Sequence, residues 1–73
     1  MEHLTKKDRH HAEHLVRQAT DIFLITRDKQ VTYGFAQGSK NNLSKLIANA
    51  MIEDKGIVGI IYDAVQYYLL MEE

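Results

Sequence analysis

The stretch Ile57 to Met71 constrains this chain most, because it is apolar over far more of a helix surface than one neighbour can cover. Ile57, Ile60, Ile61, Ala64 and Tyr68 form one helical face, and Val58, Tyr62, Val65 and Leu69 widen it. The resulting arc is roughly 220°, against the ~100° stripe that a one-sided surface helix needs. Only Gly59, Asp63, Gln66 and Leu70 occupy the remaining side. Such a helix must be enclosed by several elements or by another molecule.

The preceding stretch, GSKNNLSKLIANAMIED from Gly38 to Asp54, is a second helix with a narrower stripe. Leu43, Leu46, Ile47, Ala50 and Met51 recur at i, i+3, i+4, i+7 and i+8, with Lys45, Asn49 and Glu53 opposite. Ser39 or Asn42 can cap its amino end, and Gly38 lets the chain turn in. The stripe predicts that Leu46→Asp unfolds the domain, since the charge would have no partner. Glu53-Asp54-Lys55-Gly56 reads as the connection to the last helix, with Gly56 as terminator.

Little chain is left to cover these helices. Seventy-three residues make one domain, and a chain of that size buries only about 60% of its unfolded surface. Stability at this size draws on disulfides, a metal, very regular packing or oligomerisation. There is no cysteine, which removes the first and fits a reducing, cytoplasmic setting. The first twenty residues are charged and His-rich, so no secretory signal is expected. The longest apolar run, Ile57 to Tyr62, is too short to span a membrane. The 45% hydrophobic content without proline argues against disorder.

Residues Thr5 to Ala19 read as an N-terminal amphipathic helix, loosely docked, with Thr5 and Asp8 as a capping box. Ala12, Leu15, Val16 and Ala19 share its thin apolar face, and Lys6, His10, Glu13, His14 and Arg17 share the other. A β-hairpin follows. Ile22 to Thr26 is apolar on both pleat faces, Arg27 to Gln30 is the turn, and Val31 to Ala36 returns. That turn pairs Leu24 with Tyr33, Ile22 with Phe35 and Phe23 with Gly34, the Phe23 ring shielding the bare glycine.

Four patterns hint at chemistry. His10-His11-Ala12-Glu13-His14 matches the H-x-x-E-H string of inverted zinc peptidases, and His10 and His14 could reach one Zn²⁺ from a helix. A third ligand and a substrate cleft are missing, so a His-rich polar face explains the string more simply. Gly34 to Lys40 has the look of a phosphate loop, but a spacer residue is absent and Ser and Lys are exchanged. A helix-turn-helix reading fails because the last helix offers a DNA groove only Gln66, beside Asp63. Tyr62, Tyr67 and Tyr68 fit buried rings with wet hydroxyls better than a ligand site.

Net charge is −1, which predicts no general affinity for nucleic acid or membrane, but its distribution is uneven. Residues 50–73 carry one Lys or Arg against five Asp or Glu, while residues 21–49 carry four against two. In general layout, residues 22–70, a hairpin followed by G-S-K-x-x-L and two apolar helices, resemble short proteins of phages and mobile elements. That resemblance rests on no specific motif and implies no activity.

The expected fold is thus a single small α+β domain, residues 1–73, ordered helix–strand–strand–helix–helix. Its two-stranded antiparallel sheet is packed by the C-terminal helices, and a homodimer would complete four strands. In a monomer, the first helix would instead have to cover Phe23 and Ile25 with Leu15 and Val16. The expected function is a non-enzymatic protein-interaction or regulatory module that self-associates, or binds another protein, through Phe23, Ile25, Val58, Tyr62 and Leu69. The alternatives are a nucleic-acid accessory protein acting through Lys6, His10, His14 and Arg17, and a metal-binding protein using His10 and His14. No catalytic residue, cofactor or resident metal is expected.

Overall fold

A computed structural model describes residues 3–72 of the chain. The elements are α1 (Lys6–Gln18), β1 (Ile22–Asp28), β2 (Val31–Gln37), α2 (Lys40–Glu53) and α3 (Lys55–Glu72). This is the α+β order expected from the sequence, with one two-stranded antiparallel sheet. The chain divides into two compact units, Met1–Leu43 and Ser44–Glu73.

In the first unit, α1 is held at its amino end by the expected capping box. The Asp8 N–H donates to Thr5 Oγ1, and the Thr5 N–H donates to Asp8 Oδ2, each at 3.0 Å. Two donors that a helix start leaves without partners are thereby satisfied. At the other end the Ala19 N–H donates to the Leu15 carbonyl at 2.9 Å.

The hairpin differs from expectation in its register. Leu24 pairs with Phe35, Ile22 with Gln37, Phe23 with Ala36 and Ile25 with Gly34. The strands run further than the sequence suggested, so that only Lys29 and Gln30 make the reversal. Both have positive φ, 51° and 72°, which matches a type I′ turn whose twist suits the flanking strands. The register therefore moves by two residues, which leaves every side chain on its expected face. Phe23 does not cover Gly34, and a Cβ added at Gly34 would meet nothing within 4 Å.

Beyond the hairpin, the Gln37 side chain donates to the Thr20 carbonyl at 3.1 Å, tying the end of β2 to the approach of β1. Gly38 follows with φ 128°, and a Cβ there would collide with Asp21 Oδ1. Only glycine suits both demands. Ser39 then caps α2, its Oγ accepting from the Asn42 N–H at 3.1 Å.

In the second unit a single residue separates the helices. The Asp54 N–H donates to the Ala50 carbonyl at 2.9 Å, closing α2. Its side chain Oδ1 accepts from the Gly56 N–H at 2.8 Å, opening α3. Gly56 is therefore inside the first turn of α3 and not the terminator of α2, because the Asp54 carboxylate caps the new helix before a glycine stop is needed. Half-buried side chains flank this link: Ile47, Ala50 and Met51 before it, Ile57, Val58 and Ile61 after it. Leu46 remains 38% exposed, so the covered line of α2 runs through Ile47 and Ala50, and Leu46 is not the centre of a core.

Among the described residues none is buried, apolar or polar. The turn offers a direct test of the hairpin geometry. Replacing Lys29-Gln30 by Asn-Gly, the pair that adopts positive φ most readily, should stabilise the chain by roughly 1 kcal/mol. Thermal unfolding of the double variant should show a higher midpoint; a lower one would contradict the two-residue reversal.

Candidate interaction surfaces

The side chains that sequence patterning assigns to association lie on two surfaces. On the hairpin, alternation puts Phe23 and Ile25 on one face with Thr32 and Ala36, and they are 47% and 62% exposed. The opposite face carries Ile22, Leu24, Tyr33 and Phe35. Both faces are therefore apolar, where an isolated antiparallel sheet ordinarily presents one polar face to water.

Val16 of α1 lines an open groove of about 630 Å³ together with Ile22, Leu24 and Phe35. This places Val16 toward the second face, so α1 does not close over Phe23 and Ile25 in the way a self-sufficient monomer would require. The thin apolar face of α1 explains this: Leu15 and Val16 themselves remain exposed. The groove is walled by residues of both strands and by Val16 of α1, and its lining holds no ionisable side chain. It can accept apolar groups, with Gln37 as its one side-chain hydrogen-bonding residue.

On α3, Val58 is half-buried, while Tyr62 and Leu69 are 65% and 54% exposed. Val65, which the sequence places on the same face but which was not among the interface candidates, completes a line Val58-Tyr62-Val65-Leu69 with steps of four, three and four residues. That spacing is the seam of a helix pair, and it was legible in principle. Tyr67 and Tyr68 are also exposed, so the three tyrosines do not bury their rings within the single chain. Burial fades within two turns of Asp54, and the remainder of the 18-residue helix extends beyond it.

The polar face of α1 presents Lys6, His10, His14 and Arg17 on successive turns, all exposed, with Glu13 among them. His10 and His14 stand one helical turn apart. Among the described residues no three His, Asp or Glu side chains gather to hold a metal ion. Gly34 to Gln37, the first part of the phosphate-loop likeness, is β-strand, and only Gly38 and Ser39 connect it to α2. Among the described residues, no helix is long and apolar enough to cross a membrane.

No protein family, curated protein or solved structure matches this chain.

One titration follows from the α1 cap. Hydrogen bonds from the Thr5 backbone and side chain hold the Asp8 carboxyl below its usual 3.8, and His11 nearby acts in the same direction. A depressed carboxyl pKa contributes stability that is complete above the ordinary value and is lost as pH falls through the folded one. Helicity at 222 nm should therefore hold down to about pH 4 and drop in more acid solution. Asp8→Ala should lower helicity at neutral pH and flatten that acid step. An unchanged acid step in Asp8→Ala would contradict the assignment.

Proposed function

We propose that this chain is a non-enzymatic interaction module whose activity is association, first of all with a second copy of itself. The observation that carries the reading is the absence of any buried residue among those described, in a chain that is 45% hydrophobic. Large apolar side chains are exposed on both sheet faces and along most of α3. Covering each would contribute about 1.5–3 kcal/mol, a large share of the stability a small domain can have. Association supplies that cover. The groove without ionisable lining supports a binding role over a catalytic one.

The experiment is absolute mass by light scattering across a dilution series, with variants on α3. The unmodified chain should have the mass of a dimer. Tyr62→Asp and Leu69→Asp should weaken association by at least about tenfold, since each places an unpartnered charge in the covered seam. Asp63→Asn, on the far side of α3, should leave the mass unchanged. A monomeric mass at every concentration would overturn the proposal.

A further inference from the structure

The sheet has two strands and therefore two edges, each with a row of backbone N–H and C=O groups that no strand among the described residues pairs. The edges are not equivalent. β1 ends in Arg27 and Asp28, charges of the kind that protect an edge from adding another strand. β2 reads Val-Thr-Tyr-Gly-Phe-Ala-Gln, with neither charge nor proline.

Pairing with an identical strand about a two-fold axis separates the edges further. For β1 the axis would pass through Ile25, the middle residue. Arg27 would then face Phe23 of the second copy, and Asp28 would face Ile22. Both contacts set a charge against an apolar side chain. For β2 the axis would pass through Gly34. Tyr33 would face Phe35 of the second copy twice over, Thr32 would face Ala36, and Val31 would face Gln37. Aromatic pairs of this kind are among the favourable cross-strand contacts, and no charge is involved. Gly34 itself brings no side chain to the axis, and the space beside it is open.

We propose that two copies of this chain join antiparallel along β2, with Gly34 against Gly34 on the two-fold axis, giving a four-stranded sheet ordered β1-β2-β2-β1. The inference rests on the self-association reading and names the edge that carries it. On one face, the Tyr33 and Phe35 rings of both copies then form a single aromatic cluster between the two Leu24 side chains. The pairing is isologous and closes on itself, so the interface ends at two copies.

Single cysteines test it cleanly, because the chain has none. Gly34→Cys has room for its side chain, and residues facing across an antiparallel pair come near disulfide distance. Under mild oxidation Gly34→Cys should form a covalent dimer at least about tenfold faster than Ile25→Cys, its counterpart on β1. Should Gly34→Cys fail to fold, a mixture of Thr32→Cys and Ala36→Cys chains should cross-link between unlike chains, while neither variant links efficiently to itself. A dimeric mass without preferential linking at these positions would overturn the β2 edge and leave self-association standing. A monomeric mass for the unmodified chain would overturn both.

Discussion

An apolar side chain stabilises a fold only when something excludes water from it, and in this chain that exclusion is incomplete at every described residue. The half-buried positions gather at Ile22 beside the α1 groove, at Leu43 in the first turn of α2, and around Asp54 between the last two helices. Elsewhere large apolar side chains, among them Ile25, Ile52 and Ile60, remain exposed. A chain of 73 residues with no disulfide has few other means of making up the difference.

What the single chain does possess is strong local definition. Thr5 and Asp8 start α1, Ser39 starts α2, and Asp54 both follows α2 and starts α3. Each device works within about four residues and gains little from the rest of the fold. Gly38, with its positive φ and the Asp21 carboxylate against it, fixes the passage from sheet to helix. The elements are thus specified one by one, and on the proposed reading association would supply the burial that the single chain lacks.

The same division explains what was legible in the sequence. Helix and strand identities could be read, because stripe spacing and capping residues are local signals. The capping box at Thr5 and the capping role of Ser39 are cases in which a side chain and its acceptor or donor stand three residues apart. The hairpin register could not be read, because Lys29 and Gln30 hold positive φ without the Asn or Gly that ordinarily announces such a turn. Gly56 misled for the opposite reason: it looks like a stop signal but sits just inside α3, where Asp54 has taken over. Leu46 and the α3 tyrosines show a third kind of limit. A helical stripe says which residues share a face, but not whether the chain is long enough to cover it. The candidate interface residues Phe23, Ile25, Tyr62 and Leu69 are exposed on their own elements, whereas the uncharged outer edge of β2 is seen only once the strand bounds and register are known.

On the proposed reading, burial in this protein is completed between molecules. Thermal unfolding followed over a hundredfold range of chain concentration addresses it most directly. If folding and association are one process, the midpoint rises with concentration, as mass action requires for a native state made of two chains. A midpoint that stays fixed across the whole range would contradict the account, and would mean that one chain holds its structure by itself.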